Sequence, residues 1–234
     1  MTKITKEFIE AALELADAGQ SKLTEPEREL FGLSSVRLKS LINNLCSKEN
    51  TRYLELGVYK GSTIISAVFG NSTCKAVGIE NYKYDEREPK KMAPEGTIWT
   101  NVKSQLADNI NRYTSTEKIA KDAITIIESD FQEVEFDKTQ KFDVCLVDIT
   151  PASTATFDAF FTKIYPQMGL ENVVIFMGYS NETVARLINE ALEKYSDGFT
   201  ITSSNHRISS GLSDSTKYYS GALVLGTKKK ISVK

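Results

Sequence analysis

The decisive stretch is Arg52-Tyr-Leu-Glu-Leu-Gly-Val-Tyr-Lys-Gly-Ser-Thr63. Its first part, Tyr53–Leu56, is a short apolar run of the kind that forms a buried strand. Gly57 and Gly61 then let the backbone turn sharply and come close to a ligand. Ser62 or Thr63 opens a helix expected over Ser62–Phe69, whose first amides lack partners within the helix. Strand, glycine turn and helix together form the opening of a βαβ unit.

The chain downstream keeps that rhythm. Further strands are expected at Ala76–Ile79, Ala123–Ile127, Phe142–Val147, Val173–Phe176, Phe199–Ser203 and Ala222–Leu225. Helix-period segments lie between them at Asn101–Tyr113, Ser153–Tyr165 and Glu182–Tyr195. Such alternation predicts an α/β fold, a Rossmann-like, mostly parallel sheet with helices on both faces. The last two strands have no helix between them, so they should pair antiparallel through the polar stretch Ser204–Lys217. Upstream, residues 1–50 read as helices. Phe8, Ala11, Ala12 and Leu15 share a face, with Gly19 as a stop. Thr24-Glu-Pro-Glu27 has the form of a capping box. Ser34 or Ser35 caps a third helix with the stripe Leu38, Leu41, Ile42 and Leu45. The expected organisation is a helical extension (residues 1–50) on one α/β domain (residues 51–234).

In an open parallel sheet, ligands bind beyond the carboxyl ends of the strands. There the second strand presents Glu80, 23 residues after Gly57. An acid at about 20 residues from such glycines is the usual partner of a ribose diol, because a carboxylate can accept both hydroxyl protons. A dinucleotide loop needs G-x-G-x-x-G, and a Walker A loop needs a lysine before Ser/Thr in a G-x-x-x-x-G-K frame. The spacing here is G-x-x-x-G, with an acid two residues ahead, which argues against a nicotinamide oxidoreductase.

Glu55-Leu-Gly57-Val-Tyr-Lys-Gly61 resembles the E/D-x-G-x-x-x-G loop of class I S-adenosylmethionine (SAM) dependent methyltransferases. The run Arg52–Thr63 is especially similar to the type 24 group, which includes sugar and macrolide O-methyltransferases and many bacterial and phage proteins. The resemblance spans roughly Ser34 to Thr227. It implies seven strands with a final antiparallel hairpin, SAM as cofactor, and transfer to an oxygen, or in second place a nitrogen, of a small-molecule acceptor. It further implies that Glu55, Gly57 and Gly61 hold the methionine part, that Glu80 takes the ribose hydroxyls and that Asn81 or Tyr82 borders the adenine. Asp130, followed by Phe131, would meet the adenine amine. Asp148 would lie near the transferred methyl group, as a ligand in metal-dependent relatives.

The match weakens after the fifth strand. Met177 and Gly178 stand where relatives often carry acids, and magnesium wants several oxygen ligands. No metal is therefore expected. His206, the one histidine, lies in the polar hairpin loop and is with Asp148 the candidate base, since imidazole titrates near neutrality. The missing acids also motivate an alternative, SAM binding without turnover. The insertion Asn81–Thr100, with Tyr82, Tyr84 and Trp99, reads either as a lid or as a surface loop.

Composition bounds the partners. The 31 acids and 29 bases leave a net charge of −2, without the bulk positive field of a nucleic-acid binder. Neither an amino-methylating N/D-P-P-Y/F/W motif nor a Pro-Cys nucleophile is present. No apolar run approaches the ~20 residues that span a bilayer, and Met1–Glu7 contains no secretory apolar core. Cys46, Cys74 and Cys145 are an odd, widely spaced set, expected to be reduced core thiols in a cytoplasmic protein. An amphipathic first helix could serve a homodimer.

Overall fold

The computed structural model describes residues 4–83, 101–137, 139–149, 153–178, 181–195, 199–205 and 223–228. Three N-terminal helices, α1 (Lys6–Asp17), α2 (Glu25–Glu29) and α3 (Val36–Leu45), precede strand β1 (Arg52–Leu56). There follow α4 (Ser62–Val68), β2 (Lys75–Glu80), α5 (Val102–Ser115), β3 (Ile124–Glu128) and β4 (Phe142–Val147). The chain continues through α6 (Thr154–Ala159), a π-helical turn (Phe160–Ile164) and a 3-10 turn (Tyr165–Gln167). It ends with β5 (Met168–Phe176), α7 (Glu182–Lys194), β6 (Phe199–Asn205) and β7 (Leu223–Lys228).

The strands form one seven-stranded sheet in the order β3-β2-β1-β4-β5-β7-β6. The first five pair in parallel, and β7 runs antiparallel between β5 and β6. The expected α/β class, strand number and closing antiparallel pair are present. Strand β4 is buried along its whole length, as a central strand covered on both faces must be.

One face of the sheet is covered by α4, α5 and the N-terminal helices. Ile9, Ala12 and Ala16 of α1 and Leu38, Leu41, Ile42 and Leu45 of α3 share an apolar cluster with Ile64, Ile65, Tyr53, Val144 and Ile175. The other face carries an aromatic layer of Phe157, Phe160, Phe161, Tyr165 and Phe176 with Leu187 and Ile188 of α7. The three cysteines are free and buried.

Several boundaries differ from the sequence reading. The inner face of α1 is Ile9, Ala12 and Ala16, while Ala11 is exposed and Leu15 is 43% exposed. Two helical stripes overlap in this segment, and periodicity alone does not say which one meets the core. The capping box at Thr24 and Glu27, the Ser35 cap and the stripe of α3 are as expected. The segment Ser153–Tyr165 is not one α-helix. The amide of Tyr165 donates to the carbonyl of Phe160, an i→i+5 bond, and Pro166 then ends the helix. Strand β5 begins at Met168, ahead of the apolar run at Val173, across an irregularity in its pairing with β4. The buried Asn172 steadies that irregularity by donating from Nδ2 to the Gly169 carbonyl, 2.6 Å away. Strand β7 runs past its expected end at Leu225 to Lys228, whose backbone pairs with Phe199.

Candidate functional site

The strand order reverses between β1 and β4. The connection from β1 leads towards β2 and β3, whereas β4 continues towards β5 on the other side. A crevice opens at such a switch point, beyond the carboxyl ends of the two strands. Gly57 and Asp148 flank it. The Gly57 amide donates to the Ile79 carbonyl (3.0 Å), and the Asp148 amide donates to the Leu56 carbonyl (2.9 Å). Gly57 has φ +84°, and a Cβ on it would lie 2.1 Å from the Asp148 carbonyl oxygen. No side chain fits there. Gly61, at φ +85°, caps α4 and donates its amide to the Val58 carbonyl (3.0 Å), which closes the turn.

Four predicted acids lie at or just beyond the strand ends, with different duties. Glu55 is 0% exposed. Its oxygens accept from the Tyr53 hydroxyl (2.6 Å) and the Thr63 hydroxyl (2.5 Å), so it joins β1 to α4. Burial, against the two hydroxyl bonds and with the help of Asp148 and Glu80, pushes its carboxyl up to about 8. Glu80 is 6% exposed. One oxygen accepts the amides of Val58 (2.9 Å) and Tyr59 (2.8 Å), and the other those of Asn81 (2.9 Å) and Tyr82 (3.0 Å). Both of its oxygens are thus already engaged by backbone.

The Asp148 side chain is exposed at the end of β4. Desolvation by the neighbouring protein, with a smaller contribution from Glu80, raises its carboxyl to about 6. Asp130 accepts the Gln132 amide (3.0 Å) and pairs with the exposed Lys83 (2.9 Å). Partial burial raises its pKa, but the Gln132 and Lys83 contacts outweigh that and leave it lowered.

The remaining predicted residues surround these acids. Asn81 accepts the Lys83 amide on Oδ1 (3.1 Å), an Asx turn beyond β2. Tyr82 is largely buried, with φ +50°. Phe131 belongs to the aromatic-side core, in the cluster that also holds Ile79 and Leu56. Gly178 has φ +82°, and the Met177 amide donates to the Val147 carbonyl (3.0 Å). His206, Tyr84, Trp99 and most of the Asn81–Thr100 and Ser204–Lys217 segments lie outside the described residues. Among the described residues, no group of three or more His, Cys, Asp or Glu is placed to hold a metal ion.

The structure adds a wall that the sequence reading missed. Lys60, in the glycine loop, is 4% exposed, and its ammonium lies over the rings of Phe31 (4.9 Å) and Tyr59 (5.1 Å). A Cβ on Gly32 would lie 2.0 Å from the Ser62 hydroxyl. The Phe31–Leu33 loop of the N-terminal extension therefore lies on the glycine loop. Phe31 itself remains 53% exposed. Only the lysine inside the loop could have hinted at this; a contact with residues 30 positions earlier leaves no local signal.

No protein-family model matches the chain, and no curated protein sequence matches it. Solved structures do. An O-methyltransferase from Bacillus cereus, in complex with S-adenosylhomocysteine, superposes with a TM-score of 0.52 at 15% identity, over 95% of this chain and 91% of that one. TrmN from Thermus thermophilus gives 0.56 at 12% identity over 87% of this chain, which spans about half (52%) of that longer protein. An rRNA methylase from Streptococcus thermophilus gives 0.50 at 10%, over 80% and 92%. The chain thus shares the fold of these proteins, an O-methyltransferase and an rRNA methylase among them.

Proposed function

We propose that this chain transfers a methyl group from SAM to an oxygen, or in second place a nitrogen, of a small-molecule acceptor. The observation that carries the reading is the reversal of strand order between β1 and β4, beyond which Gly57 packs against the Asp148 backbone and the Asp148 side chain stands exposed. Support also comes from the fold, which the B. cereus O-methyltransferase shares.

When bound, SAM supplies an electrophilic methyl on a sulfonium. The residues need only align the acceptor and take its proton. Gly57 and Gly61 shape the methionine side of the cleft, and Asn81, Asp130 and Phe131 the adenosine side. Asp148 would take the proton that the acceptor oxygen gives up on methylation. A carboxylate near 6 suits a general base that works around neutral pH. His206 is a second candidate base, on sequence grounds alone.

Isothermal titration with SAM and S-adenosylhomocysteine tests the cofactor. Methyl-release assays with hydroxylated aromatics, sugars and structured RNA test the acceptor. Micromolar binding with turnover on a hydroxylated small molecule supports the proposal. Turnover only on RNA overturns the acceptor class. Binding with no turnover on any acceptor favours a SAM-binding protein without catalysis. Tight NADH binding in place of SAM would favour an oxidoreductase.

A further inference from the structure

A carboxylate offers about four lone-pair sites. Glu80 accepts four backbone amides, two from the loop after β1 (Val58, Tyr59) and two from the loop after β2 (Asn81, Tyr82). Hydrogen bonds to an ionised acceptor are about twice as strong as neutral ones. Two of the four amides belong to tyrosines in the left-handed region, Tyr59 at φ +53° and Tyr82 at φ +50°. Bulky residues hold that conformation only where their surroundings over-determine it. The carbonyl of Glu80 in turn accepts the Ser129 amide (3.2 Å), which ties the same residue to the segment after β3. A ribose diol bonding to this carboxylate would have to displace amides that maintain both turns.

We propose that Glu80 is a positioning residue: it fixes the two tyrosine turns that frame the cleft, and it makes no direct bond to a ribose hydroxyl. The second half of this statement rests on the cofactor reading above; the first half does not.

Two measurements on the full chain test it. The first is amide hydrogen exchange, by NMR, at Val58, Tyr59, Asn81 and Tyr82 in the wild type and in Glu80→Gln. The second is calorimetric titration of both proteins with S-adenosylhomocysteine and with its 2′,3′-dideoxy analogue. The four amides are expected to be protected in the wild type and to lose at least tenfold protection in Glu80→Gln. Glu80→Gln should bind S-adenosylhomocysteine at least tenfold more weakly. Removing the two hydroxyls should change affinity by the same factor, within twofold, in both proteins.

A hydroxyl penalty of tenfold or more in the wild type that vanishes in Glu80→Gln would overturn the proposal, because it would reveal a direct bond. If Glu80→Gln does not fold, Glu80→Asp draws the carboxylate back by one methylene. It should weaken protection while leaving the hydroxyl penalty unchanged, and a changed penalty overturns the proposal. If the wild type binds neither ligand, the cofactor reading fails, and exchange still decides the positioning role. Amides protected in the wild type and exposed by the substitution support it; amides unprotected in the wild type overturn it.

Discussion

Glu55 shows how far a residue's place can reset its chemistry. Its carboxyl sits near 8 in the fold, against an ordinary 4.5. Folding therefore takes up a proton over that window. The stability this contributes is fully present below about 4.5 and is lost as pH rises through 8. Each unit is worth about 1.4 kcal/mol, so the loss is on the order of a few kcal/mol. Glu55→Gln keeps an acceptor and a donor for the Tyr53 and Thr63 hydroxyls. Its melting temperature should vary less than the wild type's between pH 5 and 8, and should equal or exceed it at pH 8; an unchanged slope would refute the buried-acid account. Asp148 makes a kinetic prediction. If it is the base, kcat should fall as pH drops through about 6. Asp148→Asn should lose that limb and about 10²-fold or more in kcat, measured as S-adenosylhomocysteine release. Gly57→Ala places a Cβ against the Asp148 carbonyl at a positive φ. It should destabilise the chain by about 2–4 kcal/mol in denaturant unfolding. These positions were legible because glycines and acids at strand ends are local signals. The Gly32–Ser62 approach and the Phe31–Lys60 contact were not, because only the folded chain brings them together.

At the scale of elements, the strands were the most legible parts. Phe142–Val147 is apolar except for Asp143, whose carboxylate accepts the Arg52 amide, and it forms β4 with the expected limits. Periodicity found a buried face but not the helix type. Phe157, Phe160, Phe161 and Tyr165 recur at i, i+3, i+4 and i+8, the α-helical spacing, yet the chain winds into a π-helical turn over Phe160–Ile164. Phe161 stacks on Tyr195 of the segment after α7 at 4.6 Å, and Phe160 meets Phe176 of β5 edge-on at 5.3 Å. Pro166 was the one sequence sign that the helix could not run on. Phe160 is fully buried among these rings. Phe160→Ala should cost about 3–5 kcal/mol and lower the melting temperature by roughly 10 °C. A change of less than about 1 kcal/mol would mean that the aromatic layer is loosely packed.

For the whole molecule, alternation of strands and helices announced the sheet, but it does not set the place of β7 between β5 and β6. That order depends on pairing across residues far apart in sequence. The same limit hid how the N-terminal segment is held. Asn43 of α3 accepts the Lys22 amide on Oδ1 (2.9 Å) and donates from Nδ2 to the carbonyls of Ser66 and Phe69 (2.8 Å each) at the end of α4. Its own carbonyl accepts from the Asn71 side chain (2.9 Å), which also accepts the Lys22 ammonium (2.7 Å). Asn43 is fully buried, so Asn43→Ala strands several groups away from water. The expected cost is about 2–4 kcal/mol. Removing residues 1–50 goes further: it uncovers the apolar cluster that Leu38, Leu41 and Ile42 share with Ile64 and Tyr53, and it removes the Phe31 loop from the glycine turn. If the extension were a separable unit, residues 51–234 would unfold cooperatively and give the same result as the full chain in titration with S-adenosylhomocysteine. The shared core predicts the opposite: a fragment without a cooperative thermal transition by circular dichroism, and without measurable cofactor binding.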